Sequence, residues 1–209
     1  MADEPEVVDA VLSHVVDFYA AASQRIFAAA GDLIDIFFIG NDLGSQTGPL
    51  VGPVQFGRFV LPHLRRLIDL GHAHGMPVQL HCCGGFRPLL PALVAAGLDA
   101  VHAIQPDCAG MDLRQLKADF GDRIVFNGAI DSHHVLIAGT PATVRERTRE
   151  VPAIMAPGGG YVAGARHHWI LEETPLDNVL AKAGGGPEQG GQGRAAYPHR
   201  AGHGPTMGG

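Results

Sequence analysis

Val78-Gln79-Leu80-His81-Cys82-Cys83-Gly84 is an apolar run that ends in an imidazole, two thiols and a glycine. A turn marked by a glycine and a proline precedes it, which predicts a strand over residues 78–82. Successive side chains of a strand point to opposite faces, so His81 and Cys83 share one face while Cys82 faces the other way. We therefore expect the exit of this strand to mark the active site of a β/α enzyme core.

Outward from this run, strand-like and helix-like patterns alternate along the chain. The predicted strands are 33–39, 78–82, 100–104, 123–126 and 160–163, and the predicted helical stretches are 1–31, 54–73, 89–94, 113–120 and 141–154. This order predicts an α/β fold with a parallel sheet, either open or closed as a (β/α)8 TIM barrel. A barrel contains eight such units in about 250 residues, so about five units predict a partial barrel.

The composition narrows the class of protein. The 209 residues are 46% apolar with a formal charge of −6, typical of a globular protein without a basic patch for nucleic acid. No apolar run reaches the ~20 residues of a membrane span, and the acidic start does not resemble a signal peptide, so a cytoplasmic protein is expected. The composition becomes glycine-rich at the end, which predicts a domain over 1–183 and a disordered tail over 184–209.

His81 and Cys83 are suitable first ligands for zinc, which binds imidazole and thiolate. The three cysteines are odd in number and two are adjacent, so free thiols fit better than a disulfide framework. The alternative is a strand end with a buried histidine and cysteines that behave as small hydrophobic residues. Spacing by itself favours this alternative, because His-x-Cys supplies only two of the three or four ligands that zinc needs.

Other polar side chains follow predicted strands. Asn41, Asp42 and Gln46 come after the first strand, and Asp131 comes after the fourth. The exits of parallel strands lie at one rim, so these side chains should converge with His81. Each aspartate could instead cap the turn or helix that follows it.

Further histidines and a cysteine compete for a role at this rim. Cys108 follows the third strand and is a rival third ligand, although burial is the simpler interpretation. His167 and His168 follow the fifth strand, from which either could reach the rim. His199 and His203 lie in the glycine-rich tail, and we expect them to be solvated.

Five motifs in one order resemble the uroporphyrinogen decarboxylase superfamily over about residues 5–183. They are Asn41-Asp42-Leu43-Gly44-Ser45-Gln46, Leu80-His81-Cys82-Cys83-Gly84, Phe126-Asn127-Gly128-Ala129-Ile130-Asp131, Ala156-Pro157-Gly158-Gly159-Gly160-Tyr161 and His168-Trp169-Ile170-Leu171-Glu172-Glu173-Thr174-Pro175-Leu176-Asp177-Asn178-Val179. The resemblance implies a (β/α)8 barrel with its active site at the carboxyl ends of the strands.

The resemblance is closest to the methyltransferase branch, in which zinc acts with a corrinoid carried by a partner protein. It implies His81, Cys83 and His168 as metal ligands and a substrate thiol that zinc holds as thiolate. The decarboxylase branch needs no cofactor; there Asp42 or its neighbours would bind the tetrapyrrole and His168 would position an acetate or propionate group.

Taken together, the motifs predict one set of site residues. Asp42, His168 and Asp131 are predicted to be catalytic, Asn41, Gln46 and Tyr161 to bind a small-molecule substrate, and His81, Cys83 and His168 to bind metal.

The superfamily's N-terminal part, with its arginine-rich segment, has no counterpart in this sequence. Two further hypotheses therefore remain besides the two enzymatic ones. The protein is either a non-catalytic metal-binding module or a truncated, inactive product. A partial barrel leaves sheet edges exposed, which predicts a homo-oligomer or a complementing N-terminal chain.

Overall fold

The computed structural model describes residues 3–166 and 169–184. The strands are Phe37–Gly40 (β1), Gly44–Ser45 (β2), Gly48–Pro49 (β3), Val78–His81 (β4), Ala100–Ile104 (β5), Val125–Ile130 (β6) and Tyr161–Ala165 (β7). The helices are Pro5–Ala30 (α1), Pro53–Gln55 (α2), Leu61–Ala73 (α3), Leu90–Ala95 (α4), Leu113–Phe120 (α5), Pro141–Met155 (α6) and Leu176–Gly184 (α7).

Five strands form one parallel sheet in the order β1-β4-β5-β6-β7, and β2 pairs with β3 in a small antiparallel hairpin. Helices connect the strands of the parallel sheet, as βα units require. The predicted α/β fold is confirmed, and its sheet is that of a partial TIM barrel. No helix in the described ranges is long and apolar enough to cross a membrane.

The two faces of the sheet differ sharply. Leu80, Val101 and Phe126 lie in register across β4, β5 and β6, and each is at most 1% exposed within the hydrophobic core. The following residues are also in register, so their side chains point to the opposite face. They are His81, His102 and Asn127. At these positions the polar side chains therefore lie on one face of the sheet and the apolar side chains on the other.

Two predicted strands, the first and the fourth, differ most from the structure in their limits. β1 begins at Phe37 instead of residue 33, because its partner β4 begins only at Val78 and the N–H of Phe37 donates to the carbonyl of Pro77. A 3-10 turn occupies Gly31–Leu33. β6 continues to Ile130 instead of ending at residue 126, because β7 pairs with it through Ala165. The prediction for 100–104 is confirmed.

The helical pattern over 54–73 is confirmed, with a π-helical turn at Phe56–Val60 joining α2 to α3. α7 was not predicted; its buried Asn178 donates to the carbonyls of Leu136 and Gly139, at 2.9 and 2.8 Å. Apart from Gly184, which ends α7, the predicted tail lies outside the described residues.

Candidate metal site at the carboxyl ends of β1 and β4

Three potential ligand atoms converge where β1 and β4 end. The Nε2 of His81 lies 3.4 Å from the Sγ of Cys83 and 3.5 Å from an Oδ1 of Asp42. All three atoms lie within 4.8 Å of one another. The structure thus brings the predicted pair together and adds Asp42, which sequence reasoning had assigned to catalysis.

Parallel pairing of β1 with β4 creates this convergence. Gly40 is in register with His81, and the N–H of Asn41 donates to the His81 carbonyl, so Asp42 emerges beside Cys83. The Oδ1 of Asp42 then accepts the N–H of Cys83 at 2.9 Å. Asp42 therefore bridges two strand exits instead of capping the turn that follows it.

A close contact between two loops holds Cys83 in place. Gly84 has a φ of +81°, and a Cβ at this position would lie 2.6 Å from backbone atoms of Gly44 and Ser45. The N–H of Gly85 donates to the Ser45 carbonyl at 2.7 Å. Glycine at residue 84 therefore lets the β2–β3 hairpin pack directly on the backbone that follows Cys83.

The two adjacent thiols lie in different surroundings. Burial raises the pKa of Cys82 to about 12, and this side chain is fully buried on the core side, as predicted. Burial also raises the pKa of Cys83, and the charge and hydrogen bond of Asp42 add to the increase. A nearby carboxylate opposes the thiolate, whereas a bound cation would favour it.

Three predicted substrate-binding residues do not join these ligands. Asn41 lines a cavity between α1 and the edge of β1, and Gln46 is exposed, with its carbonyl accepting the N–H of Ala109. Tyr161 is the first residue of β7, at the end of the strand away from the rim, and its hydroxyl donates to the Gly128 carbonyl at 2.8 Å. Their roles remain predictions.

Asp131 belongs to a second polar cluster, at the ends of β6 and β7. It caps the turn at Ser132–Ile137 by accepting the N–H groups of His133 and His134, which is the capping alternative to a catalytic role. Burial alone would raise the pKa of Asp131, but the hydrogen bonds from His134 and the charge of Arg166 hold it below its usual value.

Arg166 is the cation of this second cluster. Its guanidinium is buried and pairs with Asp107, with His133 and, at 3.6 Å, with an Oδ1 of Asp131. Asp107, Asp131 and His134 have the spacing of a metal site, but the Arg166 guanidinium already pairs with both carboxylates. We therefore assign no metal to this cluster.

Two buried side chains at the rim were not predicted to belong to the site. The Nδ1 of His102 lies 3.0 Å from the Nδ1 of His81. The Oε1 of Gln105 accepts the N–H of Gly84 at 3.1 Å and the thiol of Cys108 at 3.4 Å. Cys108 pairs with Gln105 and is not one of the ligand atoms that converge at Asp42, His81 and Cys83. His168, the other predicted ligand, lies outside the described residues. A polar residue within an apolar strand was the available signal for His102.

The fold and this rim define a class of protein: a β/α chain of barrel type with its reactive side chains at the carboxyl ends of parallel strands. Comparison with known families makes the assignment specific. The chain belongs to the uroporphyrinogen decarboxylase (URO-D) family, whose model matches residues 1–183.

Curated relatives of two kinds match this chain. The methylcobamide:CoM methyltransferase MtbA of Methanosarcina acetivorans is 23% identical over 76% of this chain and 45% of its own length. A uroporphyrinogen decarboxylase of Mycobacterium bovis is 27% identical over 87% of this chain and 50% of its own length. The chain thus spans about half the length of the curated relatives it matches.

A solved structure supports the fold. A methyltransferase from Methanosarcina mazei superposes with a TM-score of 0.55 at 22% identity, covering 72% of this chain and 41% of the other. This likeness concerns the fold alone.

Proposed function

We propose that this protein is a methyltransferase-like member of the family that binds zinc through His81, Cys83 and Asp42. The observation that carries the proposal is the convergence of imidazole, thiol and carboxylate atoms within 4.8 Å of one another. His168 was also predicted as a metal ligand, and this stays a prediction because His168 lies outside the described residues.

The donor chemistry fits zinc. Zinc sites in enzymes use three protein ligands drawn from histidine, cysteine and carboxylates and leave a fourth position for a water or a substrate. His81 is mostly buried, with 14% of its side chain exposed, whereas 57% of the Asp42 side chain is exposed. A substrate would therefore approach from the side of Asp42.

Each residue has a distinct task in this site. His81 supplies its Nε2, which faces Cys83 and Asp42, and Cys83 supplies a thiolate once a cation offsets the Asp42 charge. Asp42 also fixes the Cys83 backbone through the hydrogen bond to its N–H. Zinc bound here would hold a substrate thiol as thiolate, the form that attacks a methyl group on the cobalt of a corrinoid.

Metal analysis of the purified chain tests the proposal. We expect about one zinc ion per chain in the wild type, and loss of zinc in both His81→Ala and Cys83→Ala. Cys82→Ala is the matched control, because this neighbouring thiol faces the core and should leave the zinc content unchanged. With cobalt(II) in place of zinc, the thiolate-to-metal absorption should be lost in Cys83→Ala and retained in Cys82→Ala.

Methyl transfer requires a second assay. The zinc-loaded protein is mixed with a methylated corrinoid and a small thiol, and the loss of the methyl–cobalt absorption is followed. Turnover that depends on Cys83 supports the proposed activity. A wild type that binds no zinc would contradict the proposed methyl transfer and favour the decarboxylase activity of the mycobacterial relative.

A further inference from the structure

The His81 ring is held at both of its nitrogens. Its Nε2 faces Cys83 and Asp42, and its Nδ1 lies 3.0 Å from the Nδ1 of His102. A hydrogen bond between two ring nitrogens needs one donor and one acceptor. The contact with His102 therefore couples the position of the proton on one ring to that on the other.

Metal binding requires one of the two arrangements. A neutral His81 that offers the lone pair of Nε2 to a metal carries its proton on Nδ1. The Nδ1 of His102 must then be the acceptor, with the proton of His102 on its Nε2. This arrangement leaves His81 neutral and ready to ligate without any change at its other nitrogen.

His102 is well placed to hold this arrangement. It is in register with His81 on the neighbouring strand, only 8% of the residue is exposed, and its carbonyl accepts the N–H of Cys82. The Phe38 ring packs near both imidazoles, with centroid distances of 6.3 Å to His81 and 5.8 Å to His102. Backbone pairing and burial thus restrict the His102 ring to a narrow range of positions.

We propose that His102 is a positioning residue that fixes the tautomer and the orientation of His81 for metal binding. This inference rests on the zinc site proposed above. Side chains that orient a metal-bound histidine contribute 10- to 100-fold to metal affinity in known sites, so loss of the acceptor at His102 should weaken zinc binding by about that factor.

Two variants of similar size separate this role from a packing role. His102→Asn places an amide oxygen near the position of Nδ1 and can still accept from His81, whereas His102→Leu cannot. Zinc affinity is measured by competition with a chromophoric chelator, and urea unfolding checks that each variant folds. We expect near wild-type affinity for His102→Asn and an affinity about 10- to 100-fold weaker for His102→Leu.

A measurement without metal judges the inference independently of the proposed function. In ¹⁵N NMR spectra of the metal-free protein, His81 should carry its proton on Nδ1 in the wild type and in His102→Asn, and should shift toward the Nε2 tautomer in His102→Leu. An unchanged tautomer in His102→Leu, or equal zinc affinity in all folded forms, overturns the inference. If the wild type binds no zinc but the His81 tautomer still shifts in His102→Leu, the metal site is refuted and the pairing of the two rings is supported.

Discussion

Replacement of Gly84 by alanine should destabilise the protein and its candidate metal site together. At a φ of +81°, an L-residue costs about 1–2 kcal/mol relative to glycine. The added Cβ would also lie 2.6 Å from backbone atoms of Gly44 and Ser45, an overlap that no side-chain rotation relieves. Overpacking of this kind costs about 1–3 kcal/mol, so the free energy of unfolding should fall by about 2–5 kcal/mol.

Gly75 provides the matched control. Its φ of +74° is nearly the same, but a Cβ there would meet no atom within 4 Å. Gly75→Ala should therefore cost only the conformational part, about 1–2 kcal/mol. Urea unfolding followed by circular dichroism measures both variants, and zinc content should fall only in Gly84→Ala. Equal destabilisation by the two substitutions, or an unaltered zinc content in Gly84→Ala, would refute the reasoning about the hairpin contact.

Three other predictions concern stability, thiol reactivity and assembly. Because the pKa of Asp131 is lowered by folding, its contribution to stability is present above the unfolded pKa of about 3.9 and is lost as the pH falls through the folded value. Unfolding curves of the wild type and Asp131→Asn should therefore differ at pH 7 and converge in acid; a constant difference would contradict this. Cys82, with its pKa near 12, should react with a thiol reagent only after unfolding, as mass mapping of the modified residue would show. Because α1 exposes Val11 and Phe18, at 55% and 67%, beside a sheet edge that pairs with no strand of the described chain, we expect self-association in sedimentation that Phe18→Glu reduces. A monomeric wild type would contradict the last prediction.

The sequence pattern was sufficient for the architecture, because strand alternation and helix periodicity are local properties. Ala100–Ile104 and Leu113–Phe120 have the predicted bounds. The errors occurred where a partner decides the outcome. β1 starts at Phe37 because its neighbour starts at Val78, and β6 extends to Ile130 because β7 accompanies it.

The candidate site was predictable in part for the same reason. The two-residue period of a strand places His81 and Cys83 on one face, and the exit rule for parallel strands places Asp42 nearby. No local pattern specifies that Asp42 reaches the N–H of Cys83, or that His102 faces His81, since both depend on register between strands. The two-residue period also places Cys82 on the face opposite to Cys83, where it is buried in the core.

Pairing in the parallel sheet joins only strands that are consecutive in the series β1, β4, β5, β6 and β7, and the connections between them pass through helices. Assembly can therefore proceed stepwise, each βα unit docking on the one made before it. The same regularity makes the sheet modular. A further βα unit could be added at the outer edge of β1 or of β7 without altering the register of the existing strands. Duplication of such units would therefore leave the candidate metal ligands at the ends of β1 and β4 in place.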